Sequence, residues 1–176
     1  MRNLHLLKWL AYAVCTLFLG VAQSQLGFYP HYPGAVPLLP LCFVVSVGMV
    51  EGDTAGGVYG VLAGLLWDCG TGRVFGFNAL FLMVYGVAAG LLARLLFRRT
   101  GVTALLFTFA AALLHELLTW FFFLYMTGSG NFVYAMVHIA LPAVLTTLVF
   151  ALPVFYGVRA LNVRLSGSDS GDDSAS

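Results

Sequence analysis

Six apolar stretches run through this chain, at Leu6–Ala22, Val36–Val50, Thr54–Trp67, Asn78–Phe97, Val102–Met126 and Val133–Val158, with little but short connections between them. Such a pattern must be shielded from water by lipid or by other apolar surface. Only 9% of the residues are charged, against 61% hydrophobic; a soluble domain carries about 25% charged residues. These proportions exclude a water-soluble enzyme, a disordered chain and a nucleic-acid binder with a large basic face. They leave an integral membrane protein. A spanning helix takes about 20 apolar residues, so six of them leave no room for a separate soluble domain.

In lipid every backbone polar group must find its partner inside the protein. A β-barrel would do this with alternating strands of about ten residues, and that alternation is absent. Each stretch therefore reads as helix, and the expected fold is all-α: residues 1–165 form a six-helix transmembrane domain, and 166–176 (SGSDSGDDSAS from Ser166) form a disordered cytoplasmic tail, polar and low in complexity. The second and third stretches are short for a span. They read either as two short helices or as a re-entrant hairpin buried against protein.

Charge separates these readings. With six spans, Arg2, Lys8, Arg94, Arg98, Arg99, Arg159 and Arg164 share one side, and only Arg73 lies on the other. A hairpin at 36–67 would destroy that asymmetry. The positive-inside rule then puts both termini in the cytoplasm of a multi-pass protein. Arg2, Lys8 and the run ending at Gly20-Val21-Ala22 imitate a signal peptide; the polytopic remainder favours an uncleaved first helix. The uncharged segment Gln23–Val36 carries Phe28, Tyr29 and Tyr32, suited to an interfacial belt, and Thr127–Asn131 reads as a tight turn. Cys15, Cys42 and Cys69 have neither metal-ligand spacing nor an even count, so they read as small packing residues.

Gly48, Gly52, Gly56, Gly60 and Gly64 recur every four residues, and Gly86 and Gly90 repeat the spacing. Small residues at this interval leave a helix face without side chains, so that backbones approach closely. Such faces serve either packing within the bundle or docking of another membrane protein. Three polar residues fall at membrane depth: Glu116 near the middle of the fifth stretch, adjacent His115, and His138 in the outer part of the sixth. A carboxylate there costs about 2.5–3.5 kcal/mol on insertion scales. The trio reads as a satisfied structural network, a contact with a partner helix, or a proton or ion pathway. Asp68 and Arg73 suit a loop ion pair or a cap. Glu51 and Asp53 run against the basic bias of their side; Asp53 is placed to cap the third helix, and a partner's basic surface is the other use for the pair. No Ser/His/Asp set, HExxH or phosphate loop occurs, so neither catalysis, a cofactor nor a metal is expected.

The middle of the chain, Gly60-Val61-Leu62-Ala63-Gly64-Leu65-Leu66-Trp67-Asp68 followed by Gly76-Phe77-Asn78-Ala79-Leu80, resembles the rod shape-determining protein MreD family. Members show a Gly-rich short helix ending in G-L-L-x-D and then a G-x-x-A-L pattern that opens the next helix. Gly64, Asp68, Gly76 and Asn78 are the residues matching that motif. The resemblance implies a non-catalytic scaffold or regulator of the bacterial cell-wall elongation complex in the inner membrane, acting in rod shape determination and peptidoglycan synthesis. The partners it implies are an MreC-like bitopic protein, MreB, a SEDS glycosyltransferase and a class B penicillin-binding protein, with membrane lipid around them and no nucleic acid. It also implies a membrane fold similar to that of the S components of energy-coupling-factor vitamin transporters. That likeness supplies the alternative: a substrate-binding S component, with an outer cavity lined by the aromatic loop and His138. A proton-coupled carrier using Glu116 is weaker, because no inverted repeat is visible.

Overall fold

The computed structural model describes residues 2–27, 36–71, 75–95, 100–125 and 136–166. The aromatic segment 28–35, Arg73, Arg98, Arg99, the turn at 127–131 and the tail from residue 167 onward lie outside the described residues. All described regular structure is helical: α1 (Arg2–Gly27), α2 (Leu39–Glu51), α3 (Asp53–Thr71), α4 (Phe77–Leu95), α5 (Gly101–Thr119) and α6 (Leu141–Ser166). A wider π-helical turn continues α5 over Trp120–Tyr125, and another leads into α6 over Met136–Ala140. The six helices coincide with the six apolar stretches to within a few residues, except that α1 begins earlier and α6 runs later. Three segments are long and apolar enough to cross a membrane: Phe77–Leu95, Gly101–Phe122 and Met136–Arg164. Leu7–Gln23 and Leu39–Glu51 are shorter apolar helices.

Helix α2 explains its own shortness. Its residues Pro40 to Met49 are all buried, so it is surrounded by protein on every side. A helix apolar all round belongs in such a place, and one walled off by protein need not match the thickness of the bilayer. Its start is satisfied from two neighbours. The Leu38 amide donates to Thr147 Oγ1 of α6 at 3.0 Å, and the Leu39 amide donates to Gln23 Oε1 of α1 at 3.2 Å. These are first-turn donors that the helix itself leaves unpaired.

The order of contacts sets the directions. Helix α1 meets the start of α2 with Gln23 and its end with Tyr12 and Lys8, so the two are antiparallel. Helix α6 meets the same two points with Thr147 and Asn162, so it runs parallel to α2. Gly90, late in α4, lies against Gly52 and Asp53, and Gly101 at the start of α5 lies against Tyr156 and Leu152 of α6. The start of α1, the α2–α3 turn, the end of α4, the start of α5 and the end of α6 therefore gather at one end of the bundle.

Candidate functional site

The family motif folds into one physical unit at the far end of the α3–α4 hairpin. Asp68, buried in the last turns of α3, accepts the backbone amides of Gly76 at 2.9 Å, Asn78 at 3.2 Å and Ala79 at 3.3 Å. Its carboxylate thus caps the start of α4, where free amides and the helix dipole both favour negative charge. Gly76 has φ +93°, a conformation that L side chains rarely adopt, and it turns the chain onto Asp68. Gly64 sits directly against the backbone of Asn78 and Ala79, where a Cβ would overlap main-chain atoms. Asn78 is buried at the same point. Of the uses open to Asp68, the structure displays capping; Arg73 is outside the described residues.

The glycines continue this seam along the hairpin. A Cβ on Gly60 would lie 2.5 Å from the Leu82 carbonyl oxygen, and one on Gly56 equally close to that of Gly86. Gly48 of α2 would meet the same Gly86 carbonyl, and Gly56 also lies against the Cα of Gly48. Gly86 in turn faces Gly56 and Val44, and Gly90 faces Asp53. Helices α2, α3 and α4 therefore converge at Gly48, Gly56 and Gly86, backbone to backbone. Gly52 differs from the others. Nothing lies within 4 Å of the position its Cβ would take, and its φ of +114° closes α2 and opens α3 in one residue. Asp53 is the first residue of α3, one place beyond the cap position read for it. There it meets the positive end of the helix dipole.

At the opposite end from Asp68 lies a buried ionic cluster that spacing in the sequence did not reveal. Glu51 receives Lys8 Nζ on Oε2 at 2.7 Å and the Tyr12 hydroxyl on Oε1 at 2.8 Å. Asn162 Nδ2 donates to the same Oε1. The Lys8 and Glu51 side chains are each only 9% exposed. Removing two charges from water is costly unless they are paired and further hydrogen-bonded, and three donors on one carboxylate meet that condition. Aromatic packing surrounds the pair. Trp9 stacks on Tyr59 at 5.9 Å, Tyr12 packs edge-on against Phe43 and Tyr59, and the Tyr59 hydroxyl donates to the Trp9 carbonyl at 2.8 Å. One carboxylate from α2 thus ties α1 and α6 to the centre of the bundle.

The polar trio is distributed differently. His115 is 3% exposed, with its ring 5.3 Å from Trp67 of α3 and 6.1 Å from Tyr85 of α4. Glu116 is half-buried and His138 exposed. The deepest of the three by burial is the histidine, not the carboxylate. Among the described residues no group of three or more His, Cys, Asp or Glu is placed to hold a metal ion. Cys42 is buried, with Sγ 3.5 Å from the Thr147 carbonyl oxygen, whereas Cys69 is exposed.

The family model described as rod shape-determining protein MreD matches residues 2–161 of the chain, which takes in α1 to α5 and α6 as far as Leu161. Comparison with the curated proteins returns no match, and comparison with the solved structures returns none.

Proposed function

The chain belongs to the MreD family of rod shape-determining proteins, and from that membership we propose that it is a non-catalytic scaffold or regulator of the bacterial cell-wall elongation complex. Its role in rod shape determination comes with the family. Our reading adds that it acts in the inner membrane through an MreC-like bitopic protein, and through it on MreB, a SEDS glycosyltransferase and a class B penicillin-binding protein. The observation that carries this is the length of the match, which runs through all six helices rather than the motif alone. The lack of a catalytic constellation in the sequence is in keeping with it.

We further propose six spans with both termini in the cytoplasm. The seven-to-one division of basic residues supports this, as does the gathering of the start of α1, the end of α6 and the α2–α3 turn at one end of the bundle. The S-component reading called for His138 to line an outer cavity. His138 is exposed, and the aromatic loop that would share that cavity lies outside the described residues.

Depletion in a rod-shaped host, combined with affinity capture of the tagged full chain, tests the proposal. Rounding of the cells and recovery of an MreC-like bitopic protein are expected. Cells that stay rod-shaped, or capture without that partner, would overturn it.

A further inference from the structure

Helices α5 and α6 run antiparallel and leave an open-sided groove of about 490 Å³ between them. Its walls are Leu105, Leu106 and Phe109 on one side and Leu145, Leu148 and Leu152 on the other, with Val149 at the edge. Lined by apolar side chains alone, it suits only an apolar guest. The guest's other end is marked on α6. Tyr156 and Arg159 follow Leu152 by four and seven residues, so all three share one helix face. Both are exposed. Tyr156 lies one turn beyond Leu152, against the start of α5, where its hydroxyl lies 3.0 Å from the position a Cβ on Gly101 would take. Arg159 has no ion pair among the described residues, and it stands at the end of the bundle where Asn162 meets Glu51.

We propose that this groove and its rim form a binding site for one anionic phospholipid, with an acyl chain between α5 and α6 and the phosphate held by Arg159 and the Tyr156 hydroxyl. An anionic lipid joins the two chemistries that the site offers in sequence along one face: an apolar slot, then a hydroxyl, then a cation. Basic side chains at the cytoplasmic ends of transmembrane helices attract anionic head groups, and the proposed topology puts Arg159 at that end. A partner helix would match the apolar walls but would leave the exposed Arg159 without a counter-charge. The inference rests on the proposed membrane topology and is independent of the scaffold reading.

The test is native mass spectrometry of the delipidated full chain in detergent. It is titrated with phosphatidylglycerol or with phosphatidylcholine carrying the same acyl chains. The wild type is expected to retain one phosphatidylglycerol at least fivefold better than phosphatidylcholine. Arg159→Gln should abolish that preference, and Arg94→Gln, an exposed arginine of α4, should leave it intact. Leu106→Trp, which fills the groove from an exposed position, should reduce retention of both lipids. Equal retention of the two lipids by the wild type would overturn the proposal. So would equal effects of Arg159→Gln and Arg94→Gln, which would reduce the site to diffuse charge. Unchanged retention in Leu106→Trp would overturn the assignment of the groove.

Discussion

Glu51 joins three helices through one carboxylate. It holds Lys8, Tyr12 and Asn162 at once, in a place where the Lys8 and Glu51 side chains are nearly out of contact with the surroundings. Removing one member of a buried pair leaves the other uncompensated and costs about 3–5 kcal/mol. Glu51→Ala should therefore destabilise the chain by that amount in detergent-unfolding measurements, whereas the double substitution of Lys8 and Glu51 to methionine should recover most of the loss. Equal damage from the single and double variants would show that packing, rather than charge, holds this corner. None of the cluster was legible as such in the sequence. Glu51 stood out because it opposed the basic bias of its side, but its partners lie 43, 39 and 111 positions away and share no periodic signal with it. Tyr85 offers a smaller test. Its buried hydroxyl has no hydrogen-bond partner among the described residues, and an orphaned buried polar group costs about 1–3 kcal/mol. Tyr85→Phe should raise the thermal midpoint by a few degrees; a fall would mean that the hydroxyl is hydrogen-bonded after all.

Between elements, the α3–α4 seam is where sequence and structure correspond most directly. A four-residue spacing survives translation into a helix face because it nearly matches the 3.6-residue turn, so Gly56, Gly60 and Gly64 could be read as one stripe. What the spacing could not distinguish was the job of each glycine. Gly52 keeps the interval but serves a turn, since positive φ leaves no mark on periodicity. Gly20 packs against Leu66 outside the ladder altogether. The motif residues Gly64, Asp68, Gly76 and Asn78 were legible only as a resemblance; their common physical purpose, closing one hairpin, needed three dimensions. Because lipid supplies no hydrophobic drive for helix association, close backbone approach must do that work. Gly60→Leu should therefore separate α3 from α4 and cost several kcal/mol, at or above the upper end of about 1–3 kcal/mol for overpacking. Gly157→Leu, where no atom lies within 4 Å of the added Cβ, should be nearly neutral. Comparing the thermal midpoints of the two variants checks this, and similar losses in both would mean that bulk alone, not backbone contact, is being measured.

At the scale of the whole molecule, the scarcity of charge points to lipid as the solvent, and the placing of the few charges supports the proposed direction. Six helices were legible because apolar length and turn chemistry are local properties. The central position of α2 was not, since a short apolar run looks the same whether protein or lipid surrounds it. Orientation can be read from a native probe. Cys69 is exposed in the last turns of α3, while Cys15 is half-buried and Cys42 buried. It lies sixteen residues along α3 from Asp53, or about 24 Å at 1.5 Å per residue, near the end of the bundle opposite Glu51. In the proposed topology that end faces outward. A chain whose Cys15 and Cys42 are replaced by alanine should then be labelled at Cys69 by a membrane-impermeant maleimide added to intact spheroplasts. With Cys69 also replaced, a cysteine introduced at Arg164, exposed near the end of α6, should react only after the membrane is permeabilised. The reverse pattern would invert the protein, and with it assign Arg159 and the groove below it to the outer leaflet. Labelling of both positions from outside would place both bundle ends on one side of the membrane, which six antiparallel crossings cannot produce.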